Sequence, residues 1–140
     1  VTTVTICGSA RHRDAIYQTA ELLEEAGFIV LKPPLHRIDE LTGDSSSEVK
    51  ELAWKGATFA HLNRILKADV VFIVNPDGYV GSSTTLELGY AVAHRKLIAA
   101  MMPDAYELAR SVLFDLLLHC TDVEKAVSGL SKRLAPVDGS

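Results

Sequence analysis

The chain has 140 residues, 48% of them hydrophobic, which is enough for one core and too little for two; no apolar run is long enough to span a bilayer. The net charge of −4 and the lack of any Lys/Arg cluster argue against a nucleic-acid or membrane surface but leave free nucleotides open. Cys7 and Cys120 show no ligand-like spacing to one another or to the five histidines, and no basic segment followed by an apolar one opens the chain, so the expectation is a cytoplasmic protein with neither disulfide framework nor zinc site nor secretion signal.

Strand and helix signals alternate. Residues 3–7 predict a first strand ending at Gly8-Ser9, and residues 13–26 an amphipathic helix with Ile16, Ala20 and Leu23 inward, ended by Gly27. A second strand over 28–31 stops at Pro33-Pro34, and the polar loop Gly43-Asp44-Ser45-Ser46-Ser47 after it is a candidate lid. A long helix follows over 47–67. The run Val70-Val71-Phe72-Ile73-Val74 reads as a strand buried on both faces, the kind found in parallel sheets. Beyond it come a glycine- and hydroxyl-rich loop, a helix over 84–94 and a strand over 97–101. Residues 104–113 predict a helix, 116–119 a short fifth strand, 121–134 a final helix and 136–140 a frayed tail. This order describes one α/β domain over 1–135, a Rossmann-like parallel sheet of four to five strands in flavodoxin-like order with helices on both faces.

Two helices carry apolar residues on more than one side. In the 47–67 segment Leu52, Phe59, Leu62 and Leu66 share one face, while Trp54, Ala57, His61 and Ile65 line nearly the opposite one. The segment around Glu87 repeats the pattern. A domain this small has few layers in which to bury both faces, which favours a homo-oligomer, a dimer or a dimer of dimers, over cover by long loops.

The loop after the third strand is the most informative stretch. Gly81-Ser82-Ser83 turns a buried strand into a helix N-terminus, where free N–H groups and the positive dipole end suit an anion. Glu87 overlooks that spot. Thr84-Thr85-Leu86-Glu87 also reads as a capping box, as do Ser45-Ser46-Ser47-Glu48 and Thr121-Asp122-Val123-Glu124, but only the first follows a buried strand through such a turn. A carboxylate near a helix N-terminus is favoured in its ionised form, fit for nucleophilic attack or for stabilising a cationic sugar. In a 2-1-3-4-5 sheet the first and third strands are neighbours, which brings Gly8, Ser9 and Arg11 beside Gly81, Ser82 and Ser83 as a phosphate cradle, with Tyr79 on the same loop.

Cys7-Gly8-Ser9-Ala10-Arg11, the strand start Ala68-Asp69-Val70-Val71 and the segment from Gly81 to Ala91 resemble the nucleoside 2-deoxyribosyltransferase superfamily, nearest its nucleoside 5′-monophosphate N-glycosidase branch. The resemblance implies that Glu87 attacks the sugar C1′ to form a covalent glycosyl-enzyme, that Ser9, Arg11, Ser82 and Ser83 hold the 5′-phosphate, and that no cofactor or metal is needed. Two positions depart from the branch. His61 stands where it carries a catalytic aspartate, and Thr5 where it carries a tyrosine. His61 and Asp77 are therefore the candidate acid/base residues, against a core histidine and a plain Asp77-Gly78 turn. The expected activity is hydrolysis of the base–sugar bond of a nucleoside 5′-monophosphate. Base exchange by a 2-deoxyribosyltransferase, a phosphoribohydrolase like the cytokinin-activating family, whose motif Pro76 to Glu87 echoes, and a catalytically silent nucleotide-binding module are the alternatives.

Overall fold

A computed structural model describes residues 1–33 and 38–135; Pro34 of the expected strand stop and the expected frayed tail 136–140 lie outside them. The elements are β1 (Thr3–Cys7), α1 (Arg13–Glu25), β2 (Ile29–Leu31), α2 (Ile38–Thr42), α3 (Ser47–Lys67), β3 (Val70–Ile73), α4 (Ser82–Ala93), β4 (Leu97–Ala100), α5 (Leu108–Ser111), β5 (Leu116–Leu117) and α6 (Val123–Leu134). The five strands form one sheet in the order β2-β1-β3-β4-β5, with every pairing parallel. This is the expected doubly wound arrangement. Among the described residues no helix is long and apolar enough to cross a membrane.

The two-residue period of the strands divides the core in two. Val4, Ile6, Val70 and Phe72 point to the side covered by α1 and α6, where Ile16, Leu23, Ala126 and Leu130 are buried. Cys7, Val71, Ile73, Ile98 and Ala100 point to the opposite side, against Ile65 of α3 and Leu88 and Ala91 of α4. Each large side chain so buried contributes about 1.5–3 kcal/mol. The register pairs Cys7 with Ile73, so the last residue of β1 faces the α3/α4 layer at the carboxyl edge of the sheet.

Several boundaries differ from the sequence reading. The helix expected over 104–113 shrinks to Leu108–Ser111, because Asp104 accepts hydrogen bonds from the N–H groups of Tyr106 and Glu107 and holds the chain in a turn. Glu107 then caps α5 by accepting from Ala109 N. The fifth strand stops at Leu117, two residues before His119 takes a left-handed conformation at φ 54°. The short helix α2 was not expected from the pattern. No residue of the candidate lid 43–47 is among the described residues lining the pocket, whose wall in this region is Ile38 and Asp39.

Candidate active site

The carboxyl ends of β1 and β3 open onto a cavity of about 500 Å3, within the range usual for small-molecule sites. Gly8 allows the approach of the two strands, since a Cβ there would stand 3.1 Å from both the Val74 carbonyl oxygen and the Ile16 side chain. The two loops touch: a Cβ at Gly81 would lie 3.6 Å from Ser9. Asn75, fully buried, anchors the second loop by accepting from Met101 N and Met102 N and donating to the Met102 carbonyl at 2.7 Å.

The capping box expected at Thr84 is not formed. Helix α4 begins earlier, at Ser82, with Gly81 as its N-cap and no side-chain cap, and Thr85 Oγ1 donates back to the Gly81 carbonyl. The N–H groups of Ser82, Ser83 and Thr84 therefore have no intrahelical acceptor, and all three residues line the cavity with no acidic side chain in that first turn. Glu87 falls one turn later. Its side chain is only 19% exposed and lies on the cavity wall beside His61 of α3.

His61 Nε2 lies 3.5 Å from Glu87 Oε2 and 3.3 Å from Cys7 Sγ, and His61 Nδ1 lies 3.5 Å from Arg64 Nη1. The guanidinium only donates, which makes Nδ1 the acceptor and leaves the ring proton on Nε2, shared toward Glu87 and Cys7. This is not a thiol nucleophile with its relay, which would need the imidazole between sulfur and carboxylate, one on each nitrogen. Burial pushes the Cys7 thiol well up, and the Glu87 charge and hydrogen bond add to it, so with no cation beside it the sulfur is held protonated.

Gly8, Ser9, Tyr79, Gly81, Ser82, Ser83, His61 and Glu87 all line the cavity; Arg11 and Asp77 do not. The Arg11 guanidinium lies 3.7 Å from the centre of the Tyr79 ring and 3.7 Å from Asp77, and its side chain is 53% exposed. Among the described residues the cation that lines the cavity is Arg13, whose Nε donates to Tyr17 OH at 2.9 Å and whose Nη1 lies 3.6 Å from Glu40 Oε1. Asp77 contacts buried His12 at 2.8 Å and accepts from Tyr79 N. Desolvation pushes the Asp77 carboxyl up, but the Tyr79 N–H and His12 outweigh it and hold it below the usual carboxylate range. Asp77 is thus an ionised carboxylate engaged by His12 and Tyr79 N, outside the cavity lining. Trp54, Ala57, Thr58 and Leu62 of α3 add a mostly apolar wall next to Glu87.

Compared by sequence, the chain matches no family model and no curated protein. Its fold is shared with solved structures at low identity. A 2-deoxyribosyltransferase from Bacillus psychrosaccharolyticus is 16% identical, with a TM-score of 0.60 over 80% of this chain and 82% of that one. The CMP N-glycosidase BcmB of Clostridium botulinum is 16% identical, with a TM-score of 0.58 over 94% and 99% of the two chains. A 2-desoxiribosyltransferase from Leishmania mexicana is also 16% identical, with a TM-score of 0.57 over 96% and 100%. The fold implied by the resemblance is thus the fold observed.

Proposed function

We propose that the protein is an N-glycosidase that hydrolyses the base–sugar bond of a nucleoside 5′-monophosphate with Glu87 as nucleophile. One observation carries the reading. Glu87 is an inward-facing carboxylate, free of capping, on the wall of a cavity that also presents an uncapped helix N-terminus to an anion. The names of the structural neighbours, two deoxyribosyltransferases and a CMP N-glycosidase, agree with this chemistry.

In the proposed reaction the α4 N-terminus and the Gly8-Ser9 loop bind the phosphate, and the Trp54 wall takes the base. One Glu87 oxygen attacks C1′ as the bond to the base nitrogen breaks, and the base leaves with that electron pair and takes up a proton. Water then attacks C1′, loses a proton and frees the carboxylate, so the configuration at C1′ is retained. His61 directs its Nε2–H at Glu87 and orients it; a second proton, which would displace the Arg64 contact, makes the same ring the donor to the base.

The test is incubation with ribo- and deoxyribonucleoside monophosphates and free nucleosides, with and without an acceptor base, followed by chromatography. The expected outcome is free base from a monophosphate, lost in Glu87→Gln. Formation of a new nucleoside with the acceptor would identify a transferase, and no freed base from any member would leave a nucleotide-binding module. Parental turnover in Glu87→Gln would remove the mechanism.

A further inference from the structure

Cys7, His61 and Glu87 come from three different elements, yet a single imidazole nitrogen faces both other side chains. Sγ to Nε2 is 3.3 Å, Nε2 to Oε2 is 3.5 Å, and the three donor atoms all lie within 4.8 Å of one another. Tetrahedral zinc holds thiolate sulfur at about 2.3 Å and imidazole nitrogen and carboxylate oxygen at about 2.0–2.2 Å, which sets ligand-to-ligand edges of about 3.4–3.6 Å. The Nε2–Oε2 edge already matches at 3.5 Å, and the Sγ–Nε2 edge, at 3.3 Å, needs to open by only about 0.2–0.3 Å. The third, between Sγ and the Glu87 carboxylate, is no longer than 4.8 Å.

We propose that Cys7, His61 and Glu87 form a three-ligand Zn2+ site whose fourth position opens to the cavity, and that its occupation switches the enzyme off by engaging the Glu87 carboxylate. The donor set selects the metal: sulfur and nitrogen suit zinc, whereas Mg2+ and Ca2+ require oxygen cages. One thiolate and one carboxylate balance the dication. His61 and Glu87 line the cavity, so the ion has an entry path. On binding, the Cys7 thiol proton goes to solvent and the imidazole proton moves from Nε2 to Nδ1, so the Arg64 guanidinium, 3.5 Å away, turns aside. The ligand spacing gave no zinc signal in the sequence because the three residues belong to separate crossover units.

The inhibitory half rests on the N-glycosidase reading; the binding half does not, and the experiment separates them. Co2+ is titrated into the full chain and followed by absorbance. The expected result is one Co2+ per chain, displaced by Zn2+, with d–d bands of tetrahedral intensity and a thiolate-to-cobalt charge-transfer band. Cys120→Ser should keep that band and Cys7→Ser should lose it. Glu87→Gln and His61→Ala should weaken Co2+ affinity by at least about tenfold, a scale that even outer-shell changes reach. Circular dichroism of each variant checks folding, and Mg2+ should leave the spectrum unchanged. Absence of the charge-transfer band in the parent chain, or its persistence in folded Cys7→Ser, overturns the site. Zinc-loaded protein that turns over at the parental rate overturns the inhibition. Metal binding in a protein that frees no base leaves the site standing and removes only the glycosidase reading.

Discussion

Glu87 does not cap its helix in this structure, a role that the sequence left open beside a chemical one. Since α4 starts at Ser82 with Gly81 as N-cap, the glutamate contributes nothing to closing the helix, and Glu87→Gln should abolish base release with a melting temperature close to the parent's. Its neighbours were legible because they are contiguous: Gly81, Ser82, Ser83 and Glu87 sit in one loop-to-helix segment whose physics can be read locally. Cys7 beside His61 and Arg13 in the cavity wall were not legible, since their placement depends on register and helix docking. Arg11 was the expected phosphate partner, and it is turned to Tyr79 and Asp77 instead. Arg13→Ala should therefore weaken binding of a nucleoside monophosphate while sparing the free nucleoside. A charge-assisted hydrogen bond of about 1.5–3 kcal/mol corresponds to about tenfold to a hundredfold. Calorimetric titration of both ligands checks this, and a selective loss in Arg11→Ala with none in Arg13→Ala would return the phosphate to the Arg11 side.

At the scale of elements, the sequence located every strand and the starts of α1 and α3, and misplaced the starts of α4, α5 and α6. Helix α3 is capped by Ser46 through Val49 N and α6 by Asp122 through Lys125 N, each one residue later than a Ser45 or Thr121 box would place it. Consecutive hydroxyl and carboxylate residues offer several equivalent starts, and only packing chooses among them. The turn before α5 is set by Asp104, whose side chain is fully buried and pairs with Arg110 Nε at 2.6 Å. Desolvation pushes this carboxyl up, but the Arg110 hydrogen bond and the N–H groups of Tyr106 and Glu107 outweigh it, and its value falls below the ordinary 3.8. A depressed carboxyl stabilises the fold above its unfolded value and loses that contribution as pH falls through the folded one. Asp104→Asn should thus melt below the parent at neutral pH, with the gap closing as pH drops under 3.8. Thermal unfolding across acid pH is the check, and a gap that stays constant would assign the stabilisation to hydrogen bonds rather than charge.

For the whole molecule, the doubly wound order followed from alternating buried strands and amphipathic helices, but the second apolar face of α3 has no cover among the described residues. Leu52, Phe59 and Leu66 are 69%, 61% and 41% exposed and recur every seventh position, the period of a helix–helix seam. Leu86 on α4, at the cavity rim, is also exposed. We propose that this face meets a second copy of the chain. Sedimentation at micromolar concentration should give a dimer or a dimer of dimers, and Phe59→Glu should shift it toward monomer. A concentration-independent monomer for the parent chain would refute the interface.

The sheet order has one more consequence. β1 is inserted between β2 and β3, so Cys7 reaches His61 and Glu87 only after a crossover has closed around it. The exposed turn at Gly43 to Ser46 separates these contributions cleanly: a chain interrupted there carries the sulfur on one fragment and the imidazole and carboxylate on the other. Reconstitution from the two pieces would make the sulfur–imidazole contact a direct report of a central strand threading home.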